Sequence, residues 1–197
     1  MTTPLIIIAI LLTPTLLAAA IGRVMQKPAL YRLGGLLGLS AAFAFFAVGH
    51  FVMTDGMIEM LPPFVPQRLL LVYATGALEA VLAIALLVPS WRQTVGLLCI
   101  GVLILFFPAN IYAALNGVGL GGHQWGPAYL LIRTPLQLLL IVWAYWFGVR
   151  GSLSARLSAA IQNWIGFTPS EENARKLWFA PKKKKAGPIA GPGSLGW

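Results

Sequence analysis

Leu69 to Val88, LLLVYATGALEAVLAIALLV, has about the ~20 apolar residues that cross a bilayer, and one acid, Glu79, stands near its centre. An ionised acid at the midplane costs roughly 2.5–3.5 kcal/mol on insertion scales, so Glu79 needs a partner, a proton or a use. His50, Asn110, Arg133 and Gln137 are the other strongly polar residues inside apolar runs. Arg133 and Gln137 are four apart and share a helix face. At 1.5 Å per residue, Glu79 and Gln137 would lie ~15 Å deep and Arg133 ~9 Å deep from one surface. His50 and Asn110 fall in the same half of their runs. The five can meet in a single polar intramembrane site open to that surface.

Their chemistry supports two readings. In one, Glu79 and Arg133 form a structural ion pair, which needs close geometry and further hydrogen bonds to offset desolvation. In the other, Glu79 and His50 move protons while Arg133 holds an anionic oxygen. Asn110 and Gln137 read first as hydrogen-bonding groups between helices. His50 reads equally as an interface residue. Asp55 and Glu59 read as solvated loop acids, and His123, in a glycine-rich loop, as a surface histidine.

Other chemistries find little support. The acids show no metal-ligand spacing, so no metal site is expected. A haem held by His50 and His123 would need one ligand from a flexible loop and is not expected either. No glycine-rich phosphate loop follows a strand, and no activated Ser or Cys stands out. Cys99, the sole cysteine, sits in an apolar run and reads as a small core residue.

The elements that must hold these residues are helices. Apolar residues make up 58% of the 197-residue chain and charged ones only 10%, which selects the membrane class. Met1 to Gly22 has the alanine-rich end of a signal peptide. It lacks a preceding basic residue and is followed by Arg23, Lys27 and Arg32, so it reads as a retained transmembrane helix. Further spans are expected over Gly34 to Met53, Leu69 to Val88, Thr94 to Leu115 and Pro127 to Gly148. Pro62, Pro63 and Pro66 break the link before the third span, leaving room for one helical turn over Gly56 to Met60. Asn116 to Gly126 is expected to be a flexible glycine-rich loop.

Placing the amino terminus outside gathers Arg23, Lys27, Arg32, Arg92 and the basic carboxyl-terminal segment on the cytoplasmic side. The expected location is therefore a bacterial inner (plasma) membrane, multi-pass, with the carboxyl terminus in the cytoplasm. Ser152 to Gly166 repeats apolar residues at helical spacing and reads as an interfacial helix, with Arg156 and Trp164 as contact residues. Thr168 to Trp178 starts with a helix cap. Lys182, Lys183, Lys184 and Lys185 favour anionic headgroups, and the Gly/Pro-rich end to Trp197 is expected to be extended and to reach membrane or partner. Because the net charge of +9 is largely that of this tail, nucleic acid is not an expected partner.

The series Gly49-His50-Phe51, Pro62-Pro63 and Pro66, Gly76-Ala77-Leu78-Glu79, Phe107-Pro108-Ala109-Asn110 and Arg133-Thr134-Pro135-Leu136-Gln137 resembles the DoxX-like family of small membrane proteins. The resemblance covers Gly34 to Gly148; the first helix and the tail depart from it. It implies an all-α membrane protein with a four-helix transmembrane core. The chain then divides into residues 1–33 (an extra helix and basic link), 34–148 (the core), 149–179 (interfacial and short helices) and 180–197 (basic tail). It also implies the link that some relatives have to membrane sulfur or quinone oxidoreductase systems and to redox homeostasis, although the thiol chemistry proposed for some relatives would gain support from paired cysteines, and this chain has none. The function expected on these grounds is an accessory or assembly subunit binding a lipid, a quinone or a partner membrane protein, in a larger complex or a homo-oligomer. The alternative is a quinone- or sulfur-linked oxidoreductase subunit.

Overall fold

A computed structural model of the chain describes residues 2–27, 29–150 and 161. All but Ile161 belong to one compact unit. The interfacial helix, the capped short helix and the basic tail expected from the sequence, with Arg156, Trp164, Lys182, Lys183, Lys184, Lys185 and Trp197, lie outside the described residues.

Six α-helices account for most of the unit: α1 (Thr2–Val24), α2 (Leu30–Val52), α3 (Thr54–Glu59), α4 (Arg68–Ala85), α5 (Arg92–Asn116) and α6 (Leu130–Trp143). A 3-10 segment, His123–Tyr129, leads into α6, and a π-helical segment, Ala144–Arg150, continues it. No strand occurs among the described residues. Five helical stretches are long and apolar enough to cross a membrane: α1, α2, α4, α5 and the composite His123–Arg150. The protein thus has the architecture of a multi-pass membrane protein. Large apolar side chains such as Leu70, Ile84, Leu105 and Leu131 point outward, as expected where lipid replaces water as solvent.

The expected spans are each found within a few residues of their predicted ends. The glycine-rich loop is more ordered than its composition suggests, because its second half winds into the 3-10 segment. In the proline-rich link, α3 supplies the expected helical turn.

The helix α2 is the hub, packing on α1, on α4 and on the π-helical end of α6. Its small residues make this possible. A Cβ at Gly38 would lie 2.6 Å from the Leu11 carbonyl oxygen of α1, so any side chain there would force the two helices apart. On the α4 side, a Cβ at Gly76 would lie 2.6 Å from the His50 Cβ. The core gathers Leu11, Leu39, Phe43, Leu86, Cys99 and Leu140, all essentially fully buried.

Polar ties cross this apolar core between adjacent helices. The Ser40 hydroxyl donates to the Ala83 carbonyl at 2.7 Å, and the Trp143 indole N–H to the Gly35 carbonyl at 3.1 Å. In an apolar medium such bonds add about 1 kcal/mol each. They also fix the rotation of α4 and α6 about α2, and so the direction in which their remaining polar residues point.

Candidate functional site in the helix bundle

The polar residues lie toward the end of the bundle where α2 and α5 finish and α4 and α6 begin. Gly76 brings α4 against α2, and Glu79, one helical turn further along the same face, meets His50 there. The His50 Nδ1 and Glu79 Oε2 atoms are 3.1 Å apart; the Glu79 side chain is buried and that of His50 partly buried. The same nitrogen lies 3.0 Å from the Phe46 carbonyl oxygen, one turn back in α2. A carbonyl only accepts, so Nδ1 carries the hydrogen and aims it at Phe46. Glu79 Oε2 therefore has contact with the ring but no aligned hydrogen bond.

A second pair joins α5 to α6. The Arg133 Nε–H donates to Asn110 Oδ1 at 3.1 Å, while the Asn110 amide Nδ2–H donates to the Phe106 carbonyl at 2.9 Å. Only one amide orientation fits, because a guanidinium only donates and a carbonyl only accepts. One turn beyond Arg133, the Gln137 amide donates to the Leu103 carbonyl of α5. Pro108 has no N–H for the Ile104 carbonyl, which loosens α5 beside this acceptor.

Sequence spacing pairs Glu79 with Arg133, and the structure corrects that pairing. The two residues attract one another through space, but the only contact of Glu79 with a charged or chargeable side chain among the described residues is with His50. The reason lies in the packing: α4 rests mainly on α2, and α6 mainly on α5, so each polar side chain meets its partner on the adjacent helix. The five candidates are nevertheless linked into one polar neighbourhood: His50 contacts Glu79, Asn110 accepts from Arg133, Gln137 follows Arg133 by one turn, and Glu79 and Arg133 lie within electrostatic range of each other.

Two further residues join it that the sequence did not mark. His123 is only 4% exposed rather than a surface histidine, and its ring packs edge-on against Tyr129 with centroids 4.9 Å apart. Both lie within electrostatic range of Arg133. The His123 Nδ1 faces the Leu120 carbonyl and so carries the ring hydrogen, leaving Nε2 buried without a partner. The signal available in the sequence was the position of His123 a few residues ahead of a span containing Arg133.

Two links close over this end of the bundle. A Cβ at Gly56 of α3 would strike the Leu120 side chain, and one at Gly119 would strike that of Met60. Gly119 has φ +84°, a conformation open to glycine and strained for other residues. The Gln124 amide donates to the Gly119 carbonyl at 3.0 Å, pinning the second link onto the 3-10 segment. Asp55 and Glu59 are exposed on the first link, as expected.

The site is incompletely satisfied. Glu79 Oε2, Arg133 Nη1, Gln137 Oε1 and His123 Nε2 are all buried without a hydrogen-bond partner among the described residues. Such atoms cost about 1–3 kcal/mol each when nothing meets them. No group of three or more His, Cys, Asp or Glu residues able to hold a metal occurs among the described residues.

Residues 39–148, more than half of the chain, match the model of a family described as a domain of unknown function, DUF8561. The chain belongs to the DUF8561 family. Every polar residue of the site falls inside the DUF8561 region, whereas α1 and the first turns of α2 precede it. No curated protein and no solved structure matches the chain.

Proposed function

We propose that the protein is a non-enzymatic membrane subunit whose polar cluster binds the head of a small amphipathic molecule of the lipid or quinone class, on its own or as part of a larger assembly. The observation that carries this reading is the set of four buried polar atoms without a hydrogen bond among the described residues, contributed by α4, α6 and the 3-10 segment. A cluster whose role was only to hold helices together would close its hydrogen bonds internally. This one leaves both a donor and acceptors over. The resemblance to DoxX-like proteins points to the same class of ligand. In the proposed orientation the site opens toward the exterior half of the bilayer.

Extraction of the protein in mild detergent, followed by mass spectrometry of its organic extract, tests the reading. A bound amphiphile at about one per chain is expected. A chain free of bound lipid, quinone and copurifying protein would overturn it.

A second reading, an oxidoreductase subunit acting on a quinone, draws on one feature, the His50–Glu79 contact with the hydrogen fixed on His50 Nδ1. That arrangement leaves His50 Nε2 to exchange protons with a ligand, with Glu79 supporting the imidazolium. Glu79→Gln separates the two readings: lost turnover with intact assembly supports the enzyme, and lost assembly supports the subunit.

A further inference from the structure

Arg133 is a cation without an anion in contact among the described residues. Its Nε–H goes to a neutral amide, its Nη1 is buried without an acceptor, and no carboxylate of the described residues lies within ion-pair distance of it. The nearest acid by electrostatic influence, Glu79, is in contact with His50 instead. A guanidinium stays charged in proteins, and a charge held within a membrane span is stable only when paired or hydrated.

The unpartnered atoms around it have a definite polarity. Gln137 Oε1 can only accept, and its residue is 3% exposed. Glu79 Oε2, in a residue 4% exposed, accepts when ionised. In the neutral ring, His123 Nε2 accepts too, because the hydrogen sits on Nδ1 against Leu120. The site therefore lacks one negative oxygen opposite Arg133, together with O–H donors for the surrounding acceptors. A neutral quinone carbonyl supplies neither the charge nor the donors.

Resting on the amphiphile-binding reading above, we infer that the natural occupant is an anionic lipid whose head carries hydroxyl groups beside its oxyanion, with the oxyanion on Arg133 Nη1 and the hydroxyls on Gln137 Oε1, Glu79 Oε2 and His123 Nε2. The chain of such a molecule matches the outer surface of α6, where Leu131 and Leu138 are exposed beside the site. Arg133 lies ahead of the midpoint of the composite span His123–Arg150, so a head entering from the membrane surface reaches it without crossing the midplane.

Native mass spectrometry of the full chain in detergent, challenged with equimolar dioleoyl phosphatidylglycerol and dioleoyl phosphatidylcholine, tests the inference. The wild type should retain the phosphatidylglycerol at least tenfold over the choline lipid, and Arg133→Gln should remove most of that preference. Equal retention of the two lipids by the wild type would refute the anionic head and leave amphiphile binding standing. Retention of neither would remove both. Basic residues at the other end of the bundle also attract anionic lipid, and Arg133→Gln can fail to fold, so a second measurement on the wild type is decisive. A photoactivatable phosphatidylglycerol should cross-link within residues 120–138; cross-links confined to the peptides bearing Arg23, Arg32, Arg92 and Arg150 would overturn the assignment. Competition by sn-glycerol 3-phosphate at equal concentration would show a soluble oxyanion as the occupant and overturn the lipid chain.

Discussion

A buried carboxylate in contact with a single imidazole makes His50 the residue whose loss Glu79 feels most. Replacing His50 by Ala removes the one contact of the buried Glu79 carboxyl with a chargeable side chain among the described residues, at a cost of about 1–3 kcal/mol. Thermal denaturation in detergent should register that loss, and His50→Ala combined with Glu79→Gln should be less destabilised than the sum of the two changes. Additive effects would mean that the contact contributes nothing. Gln137→Ala removes the donor to the Leu103 carbonyl and should cost about 1 kcal/mol, the usual size of a hydrogen bond between helices in lipid. Asn110 has a dual task that a smaller residue cannot perform, since it accepts from Arg133 while anchoring itself to Phe106.

Among the elements, the seams α1–α2 and α2–α4 depend on glycines that allow backbone approach. Gly38→Leu places a side chain against the Leu11 carbonyl, and overpacking of that kind costs about 1–3 kcal/mol. The same physical effect at Gly76 has a chemical consequence. Gly76→Ala pushes α4 away from His50, so it should abolish the coupling between His50 and Glu79 measured by the double-mutant comparison as well as lower stability. The two links that close the site end of the bundle interlock through Gly56 with Leu120 and Gly119 with Met60. Gly119→Val combines a steric clash with a disallowed φ, and limited proteolysis should then cut within residues 53–67 or 117–129 faster than in the wild type. Unchanged cleavage would show that the links hold independently.

For the whole molecule, charge follows the two ends of the bundle. Arg23, Lys27, Arg32, Arg92 and Arg150 lie where α1, the composite last span and α4 end and where α2 and α5 begin, while Asp55 and Glu59 lie on the opposite link, joined there only by Arg68 at the start of α4. This asymmetry is the basis of the proposed topology with the basic end in the cytoplasm. Single cysteines introduced at Gln26 and at Asp55, both exposed, test it in intact cells with a membrane-impermeant maleimide. Labelling at residue 55 and protection at residue 26 is the expected result, and the reverse pattern would invert the topology and place the polar site on the inner side. Cys99 is fully buried and adds little background.

The helices themselves were legible from the sequence because each needs ~20 apolar residues and ends at a proline, glycine or charge, all of which are local features. Similar depth for Glu79, His50, Asn110, Arg133 and Gln137 was expected too, since depth follows from residue count alone, and the His50–Glu79 and Asn110–Arg133 contacts fit it. Which of them touch was not. Partner choice depends on which helices are adjacent and how each is rotated, and Gly38, Gly76, Ser40 and Trp143 settle that only through contacts made far along the chain. His123 shows the same limit: five glycines between residues 117 and 126 read as a flexible loop, yet packing of that link on α3, Tyr129 and the end of α5 buries the ring. Sequence determined that a charged residue had to be accommodated within an apolar span. Tertiary structure decided that the acid meets a histidine, that the arginine meets an amide, and that the arginine's Nη1 has no hydrogen-bond partner among the described residues.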